Sequence, residues 1–481
     1  MDDADIRCSL NPDVPKVNEH LTNIVRSFCH DTKVEKTTVI DSLGTHIVEG
    51  IPLFFAGDRV IWSAGLEEEK RPKISWKSLH DTRLVIDPSY SEQEADEGME
   101  QIIDLSHEVG RSIFALKTMN IFREAFMKSG ITPRSIVFVH GLTGVKKTTY
   151  SNFQSHIYNR DQILESPPRF NASIPAAVNL LYEKNDCVVV YDDLFPAQDR
   201  SIHKHQEKVL LEITRVIGDG IEPARMRGHK VAKKPPRCGV LFTGEYSIGG
   251  GSDAARMLPI KMTVPIDNDA LSACQREPLM LSTFYHNFIE WYITNFDKVC
   301  RLLKEWISAY RNTKTGVHDR LQETQFLLEA AYKLYLTYRT EKGFIAKEDA
   351  LELYQSFYQQ LRHNIKEQNA RVERSQGVAN DFDYLALLRT MCSERRFSLV
   401  QNIKDFEAKE HDGVIHKDHL YIRRDNLMKK IKLYEPSADF DDILKRLKDQ
   451  RALKTGKNSN SRQLGGGRGM RFYAIKIEKL K

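Results

Sequence analysis

Residues 136–149 read Ile-Val-Phe-Val-His-Gly-Leu-Thr-Gly-Val-Lys-Lys-Thr-Thr, an apolar run followed by a turn with two glycines, two lysines and three threonines. The apolar run predicts a buried strand, and the turn predicts a loop whose backbone N–H groups face an anion. A phosphate-binding loop also needs a lysine for the outer phosphates and a hydroxyl for Mg²⁺, and Lys147 and Thr148 follow in that order. The stretch therefore predicts a nucleotide-binding P-loop in an α/β fold.

The loop departs from the usual pattern at Lys146, which stands where the pattern has its second glycine. If this residue needs a positive φ, the strain costs about 1–2 kcal/mol, which is small beside the roughly 8 kcal/mol of a micromolar complex. The anion is held mainly by backbone N–H groups, which every residue except proline supplies. We therefore expect ATP to be bound by Gly141, Thr143, Gly144, Val145, Lys146, Lys147, Thr148 and Thr149.

Two further apolar runs end in polar residues that fit the same site. Residues 188–191 lead into Asp192 and Asp193, and residues 239–242 lead into Thr243. In a nucleotide-hydrolysing sheet, the first acid and the Thr148 hydroxyl orient Mg²⁺, and the second acid polarises the attacking water. Thr243 would then face the γ-phosphate from a neighbouring strand. The alternative for each run is an ordinary strand that ends in solvated polar residues.

The expected catalytic residues are thus Lys147, Asp192, Asp193 and Thr243, with Thr148 and Asp192 as the Mg²⁺ ligands. Asp193 is one methylene shorter than the glutamate more common at this position. We therefore expect slow hydrolysis.

The composition places the chain among soluble globular proteins. Its 481 residues suggest about two to four domains, and 41% are apolar and 28% charged. No apolar stretch approaches the ~18 residues of a membrane helix, and the acidic first residues do not resemble a secretory signal, so we expect a cytoplasmic protein without a membrane contact. The seven cysteines show no zinc-ligand spacing and are expected to be free thiols.

We divide the chain into four parts from its patterns. Helical spacing from residue 100 to 129 predicts a helical lead-in to the P-loop strand, and residues 279–375 are helical and rich in aromatic side chains. The predicted parts are a mixed α/β N-terminal region (1–98), a P-loop ATPase core (99–278), a helical lid-like subdomain (279–375) and a basic winged-helix-like domain (376–481).

The last part has the outline of a winged helix, a helix followed by a two-stranded basic wing. Residues 439–453 predict an amphipathic helix, residues 465–467 are three glycines, and residues 470–477 predict a strand. From residue 445 to the end there are twelve Lys and Arg against two acids, an excess typical of nucleic-acid contacts. The expected DNA contacts here are Lys445, Arg446, Lys448, Arg462, Arg468 and Arg471. The alternative is a winged helix that contacts protein.

Six short motifs in order resemble one bacterial family. They are Gly-x-Thr-Gly-x-x-Lys-Thr-Thr (141–149), Asn-Ala-Ser (171–173), Val-Tyr-Asp-Asp (190–193), Gly-Asp-Gly (218–220) with Arg225, Phe-Thr-Gly-Glu (242–245) and Ala-Arg-Met-Leu (255–258). The family is numbered nine-two-seven among domains of unknown function. Its members are described as helicases and inactivated derivatives, including replicative ATPases of mobile elements related to minichromosome-maintenance helicases. They often carry a residue other than glycine at the position of Lys146.

The resemblance spans about residues 100–280 and implies an AAA+ ATPase that forms a homo-oligomeric ring, a hexamer, with ATP between subunits. An arginine from the neighbouring subunit then touches the γ-phosphate. Arg256 matches the family arginine best, and Arg225 and Arg227 are second candidates, although each could simply pair with surface acids. Residues 218–237 of this chain fall where ring helicases commonly have a DNA-gripping hairpin, which would involve Lys230, Lys233 and Lys234. The alternative is a solvated loop.

These expectations converge on an ATP-dependent DNA motor, a replicative helicase or replication initiator of a mobile genetic element. A second hypothesis is an ATP-gated DNA-binding or assembly protein that does not unwind DNA, which the short Asp193 and the inactivated family members favour. A metabolite kinase with the same P-loop is a third hypothesis. The helical region and the basic last domain disfavour it.

Overall fold

The computed structural model describes residues 23–24, 37–76, 79, 82–195, 200–220, 226–227, 230–231, 236–245, 251–313, 315–375, 383–407, 410–435, 438, 440–454, 461–462 and 471–480. The α-helices in this part of the chain are α1 (Glu92–Asp104), α2 (Gly110–Ile121), α3 (Arg123–Lys128), α4 (Lys147–Ser155), α5 (Ile174–Glu183), α6 (Arg200–Asp219), α7 (Gly251–Ala254), α8 (Asn268–Arg276), α9 (Pro278–Thr294), α10 (Phe296–Arg311), α11 (Asp319–Lys342), α12 (Lys347–Ser375), α13 (Tyr384–Ser393), α14 (Arg424–Lys432) and α15 (Phe440–Asp449).

The strands are β1 (Thr38–Ile40), β2 (Gly44–Val48), β3 (Ile51–Phe55), β4 (Val60–Ile61), β5 (Ile74–Trp76), β6 (Ile136–His140), β7 (Val188–Leu194), β8 (Met226–Arg227), β9 (Lys230–Val231), β10 (Gly239–Gly244), β11 (Met257–Lys261), β12 (Leu399–Val400), β13 (Gly413–His416), β14 (His419–Ile422), β15 (Ser461–Arg462) and β16 (Phe472–Lys476).

The central sheet has four parallel strands in the order β11–β6–β10–β7. The first four residues of β6 are apolar and buried, as expected where helices cover both faces of a parallel sheet. The predicted parallel α/β core is thus confirmed. Because all four strands run the same way, their carboxyl ends meet at one edge, and β10 lies between the P-loop strand and the strand that carries Asp192.

The outer side of β7 is partly covered by a fifth segment of the chain. A parallel bridge joins Arg169 to Asp192. The amide of Phe170 donates to the carbonyl of Asp192 at 3.3 Å, and the amide of Asp192 donates to the carbonyl of Pro168 at 2.9 Å. This pairing fixes the backbone of β7 at the carboxylates.

The helical lead-in predicted before β6 takes the form of three helices, α1 to α3. Helix α1 begins with a capping box, in which Ser91 and Glu94 bond to each other's backbone amides. Helix α2 is buried on every side. Its Phe114 ring lies 4.5 Å from that of Tyr335 on α11, and the Phe122 ring, which follows α2, stacks on Tyr292 of α9 at 3.9 Å.

Helices on both sides of the predicted boundary at residue 279 share one hydrophobic core. A single cluster of buried side chains runs from the N-terminal strand β3 through α2 and β6 to α12. A second, smaller cluster fills the other face of the sheet, between β7, β10 and helices α5 and α6.

The N-terminal meander β2–β3–β4 is antiparallel, with a turn at residues 56–59 between β3 and β4. It is joined to the sheet by Asp186, whose carboxylate is fully buried. The carboxylate accepts from the amide of Thr45 at 3.1 Å and from the guanidinium of Arg237 at 3.2 Å. Burial raises the pKa of Asp186 to about 6, and Arg237 opposes this rise.

The last unit, residues 383–480, has its own core. Its chain order is α13, β12, β13, β14, α14, α15, β15 and β16, and β16 lies between β14 and β15 and pairs antiparallel with both. The helix predicted for residues 439–453 is α15 and the strand predicted for residues 470–477 is β16. The three glycines at 465–467 lie outside the described residues. Among the described helices, none is long and apolar enough to cross a membrane.

Candidate functional site

The loop after β6 has the backbone of a tight anion cradle. A side chain at Gly141 would place its Cβ 2.1 Å from the carbonyl oxygen of Met262, so only glycine fits there. Gly144 has φ +95°, and Lys146 has φ 69° and ψ 23°, in the left-handed region. The strain expected at Lys146 is present, and the residue directly precedes α4. The loop therefore leads into the positive end of a helix.

Lys147 is the first residue of α4 and is largely buried. Its ammonium donates to the carbonyl of Leu142 at 2.6 Å, across the loop. Burial lowers the pKa of Lys147, while Glu245 and Asp192 partly offset this effect. A cation with so little water around it gains strongly from a phosphate in the cleft.

Asp192 joins three elements at the carboxyl edge of the sheet. The hydroxyl of Thr148, on α4, donates to Asp192 Oδ1 at 2.6 Å, and the hydroxyl of Thr243, on β10, donates to the same oxygen. Thr148 and Thr243, which lie 44 and 51 residues from Asp192 in the sequence, thus belong to one hydrogen-bonded group. The structure brings together the predicted Mg²⁺ ligands and the residue expected to face the γ-phosphate.

The residues present fit a Mg²⁺-nucleotide. Mg²⁺ in nucleotide sites takes one or two protein oxygens and otherwise phosphate and water, and Thr148 and Asp192 offer such oxygens. The described residues hold no cluster of three or more His, Cys, Asp or Glu side chains that would bind a metal without phosphate. The cleft has a volume of about 270 Å³, and its lining includes Thr143, Gly144, Lys146, Lys147, Thr148, Thr149, Asp192, Asp193 and Glu245.

Asp193 lies in the cleft lining with a strained backbone. Its φ is 72°, in the region that non-glycine residues seldom adopt, and the pairing of β10 with β7 shifts register beside it. Its carboxylate lies 3.8 Å from the guanidinium of Arg169. Burial and the neighbouring Asp192 raise the pKa of Asp193, and Arg169 lowers it. Strain of this kind is typical of functional positions.

Two residues in the site were not predicted as site residues from the sequence, Glu245 and Arg396. Glu245 follows β10 and accepts a hydrogen bond from the Thr143 hydroxyl of the loop. Its other oxygen accepts from Arg396 Nη1 at 2.9 Å, although Arg396 belongs to the last unit, 151 residues later. The tetrapeptide 242–245 marked Glu245 only as part of a family motif. No local pattern marks Arg396.

Several cations surround the base of the loop. Burial lowers the pKa of His140, the last residue of β6, to about 3, and the charges of Arg371, Lys261, Lys147 and Arg396 add to this effect. The imidazole is therefore neutral at physiological pH. The convergence of positive charge favours an anionic ligand above the loop.

Arg256 lies at the end of the sheet where the strands begin, whereas the loop lies at their carboxyl ends. It precedes Met257, which pairs with Ile136 at the start of β6, whereas the loop follows the end of that strand. Four residues of strand separate the two ends by about 13 Å. The guanidinium of Arg256 pairs with Asp219 at 2.9 Å and with Asp253 at 3.1 Å. The structure therefore does not bring Arg256 to the chain's own loop.

The predicted DNA contacts are described only in part. Strands β8 and β9 form a short antiparallel hairpin that contains Arg227 and Lys230 in its backbone, while Arg225, Lys233 and Lys234 lie outside the described residues. On α15, Lys445 and Lys448 are exposed, but Arg446 bonds to Asp442 at 3.0 Å. Arg471 is exposed, Arg462 lies in β15, and Arg468 lies outside the described residues.

Comparison with known proteins gives distant structural likenesses. No family model and no curated protein sequence matches the chain, so the resemblance to family nine-two-seven stays a prediction. A solved structure of SCCmec type IV Cch, an active helicase, aligns with 96% of this chain and 84% of its own, at 14% identity and a TM-score of 0.48.

The C-terminal region of NrS-1 aligns with 95% of this chain and 90% of its own, at 10% identity and a TM-score of 0.29. A JCV helicase aligns with 50% of this chain and 65% of its own, at 14% identity and a TM-score of 0.26. At these TM-scores the likenesses carry no functional conclusion.

Proposed function

We propose that this chain is an ATP-dependent DNA motor, a replicative helicase or replication initiator of a mobile genetic element. The observation that carries the proposal is the convergence of Thr148 and Thr243 on one oxygen of Asp192, next to the buried ammonium of Lys147. These side chains come from the P-loop helix and from two parallel strands, and together they match the parts that phosphoryl transfer requires.

Each residue has a distinct task in this proposal. The loop amides and Lys147 hold the outer phosphates, Thr243 orients the γ-phosphate, and Asp193 accepts the proton of the attacking water. Thr148 and Asp192 would hold Mg²⁺, which would supply positive charge to the phosphate oxygens. Since Asp193 is a short carboxylate in a strained backbone, slow turnover is part of the proposal.

Two features support an AAA+ ring with ATP between subunits. Strand β10 is inserted between the P-loop strand and the carboxylate strand, and Arg256 lies at the sheet edge remote from its own loop. An arginine that serves a neighbouring subunit has to lie away from its own nucleotide. We propose a hexamer, in which Arg256 has to leave Asp219 and Asp253 to act.

The order of elements in the last unit supports a DNA-binding winged helix. Three helices precede the β15–β16 hairpin, and β16 pairs with β14 on its other side. Exposed Lys445 and Lys448 on α15 and Arg471 beside the hairpin suit a phosphate backbone.

The test is ATP hydrolysis with and without single-stranded DNA. We expect DNA-stimulated hydrolysis in the parent and a loss of at least tenfold in Lys147→Ala. The control is Lys347→Ala, at an exposed lysine that begins α12. Failure of the parent to bind ATP would refute the proposal, and transfer of phosphate to a small molecule would revive the kinase hypothesis.

The second candidate is an ATP-gated DNA-binding protein that does not unwind DNA, and the strained Asp193 paired with Arg169 favours it. A strand-displacement assay on a forked duplex separates the two. Displacement that requires ATP and Lys147 supports the motor, and ATP-dependent DNA binding without displacement supports the second candidate.

A further inference from the structure

The last unit reaches the P-loop through one short chain of polar contacts. Arg396 lies between α13 and β12, and its guanidinium donates to one oxygen of Glu245 at 2.9 Å. The other oxygen of Glu245 accepts from the hydroxyl of Thr143, within the loop itself. We call Thr143, Glu245 and Arg396 the latch.

Arg396 is firmly attached to the last unit. Its Nε lies 3.4 Å from Glu394, and its carbonyl accepts from the ammonium of Lys430 on α14 at 2.7 Å. Glu394 in turn lies 3.4 Å from Lys261, the last residue of β11. A displacement of Arg396 at the cleft is therefore transmitted to the unit that carries it.

Glu245 is equally well attached to the nucleotide edge of the sheet. Its amide donates to the carbonyl of Leu194, at the end of β7, at 2.8 Å. Its side chain is 26% exposed and that of Arg396 is 15% exposed, so the ion pair is partly shielded from solvent. Such a pair responds more strongly to a new charge nearby than a fully exposed pair does.

A bound phosphate would change the balance of charge at the latch. Phosphate held by the loop would lie in the cleft that Glu245 lines, and Glu245 carries the same sign of charge. Arg396, the partner of Glu245, carries the opposite sign. The phosphate also competes for the hydroxyl of Thr143. Because Glu245 is two residues from Thr243, the outermost phosphate has the largest effect.

We propose that the latch makes the position of the last unit depend on the bound nucleotide: the outermost phosphate competes with Glu245 for Arg396 and Thr143. The inference rests on the proposed nucleotide site. By linkage, if bound nucleotide changes the affinity of the last unit for another ligand by some factor, that ligand changes nucleotide affinity by the same factor.

The test measures Mg-ATPγS and Mg-ADP affinity by calorimetry in the full chain. In Arg396→Gln, ATPγS binding weakens about fivefold or more, the lower end of typical couplings, whereas ADP binding changes little. In Glu245→Gln, ATPγS binding tightens relative to ADP, because Arg396 no longer has a competing carboxylate. Loss of structure alone does not produce these opposite signs. The control is Arg395→Gln, which removes an exposed positive charge from the adjacent residue.

Hydrogen exchange of residues 394–400 is the second readout. ATPγS should change its protection in the parent and in Arg395→Gln but not in Arg396→Gln. If the parent binds both nucleotides and all variants keep its ATPγS-to-ADP ratio, the latch is refuted while the nucleotide site stands. If the parent binds neither nucleotide, the proposed function falls and the latch falls with it.

Discussion

Thr148 and Thr243 donate hydrogen bonds to the same carboxylate oxygen, Oδ1 of Asp192, from an α-helix and from a neighbouring strand. One oxygen thus connects the end of the P-loop to β10, the strand that lies between β6 and β7. A substitution at Asp192 therefore alters hydrogen bonds both to the P-loop helix and to β10.

Replacement of Asp192 by asparagine should uncouple binding from hydrolysis. Asp192→Asn keeps the shape but removes the negative charge that holds Mg²⁺, so we expect kcat to fall about 100-fold or more, as for loss of a principal transition-state contact. Nucleotide binding in the absence of Mg²⁺ should be retained. Asp269→Asn, at an exposed acid in the first turn of α8, is the control. Unchanged turnover in Asp192→Asn would refute the assignment of Asp192 as a Mg²⁺ ligand.

Lys146 offers a test of loop strain. Lys146→Gly relieves about 1–2 kcal/mol of positive-φ strain in the folded protein. It also makes the unfolded chain more flexible, which lowers the free energy of unfolding by about 0.4–1 kcal/mol. The free energy of unfolding in urea should therefore rise by between about 0 and 1.6 kcal/mol. Gly144→Ala, at φ +95°, should instead destabilise the protein. A large loss of stability in Lys146→Gly would show that its side chain supports the loop.

Asp193 should set the rate of hydrolysis. Asp193→Asn removes the base, and we expect kcat to fall about 100-fold or more, whereas Asp193→Glu extends the carboxylate toward the water and should raise kcat. Both are measured by steady-state turnover at saturating Mg-ATP. A lower rate in Asp193→Glu would mean that the strained backbone already positions the shorter side chain best.

Arg169 should control the pH dependence of that step. Burial and Asp192 raise the pKa of Asp193, and Arg169 opposes them. A base is active when deprotonated, so Arg169→Gln, which removes the opposing charge, should move the acid limb of the kcat profile to higher pH. Lys347→Gln, at the exposed start of α12, should leave the profile in place. A shift to lower pH would contradict the assignment of Asp193 as the base.

Arg256 is tested by mixing subunits. Arg256→Ala should lower kcat by roughly 1,000-fold if it contacts the γ-phosphate of a neighbour. A mixture of Arg256→Ala and Lys147→Ala chains should then recover activity, because some interfaces combine an intact loop with an intact arginine. Arg215→Ala, which removes another partner of Asp253, controls for local destabilisation. A mixture as inactive as its parts would exclude action between subunits.

The sequence predicted what lies close along the chain or follows a repeated pattern. The P-loop, the carboxylate strand and Thr243 each end an apolar run, and parallel strands place such ends at one edge, so their meeting could be expected. Arg396 could not be predicted, since its partner Glu245 is 151 residues away and no periodicity relates them. The ion pairs of Arg256 and the contact of Thr45 with Asp186 likewise depend on the folded arrangement.

The shared core of the helices has a consequence for what counts as a module in this protein. A fragment ending at Arg276 would contain every residue of the candidate site that comes from the sheet and α4. It would nevertheless lose Tyr335 and Tyr292, on which Phe114 and Phe122 rest. Because the buried side chains of this core continue into α12, the smallest fragment that keeps the interior around the cleft complete extends through α12.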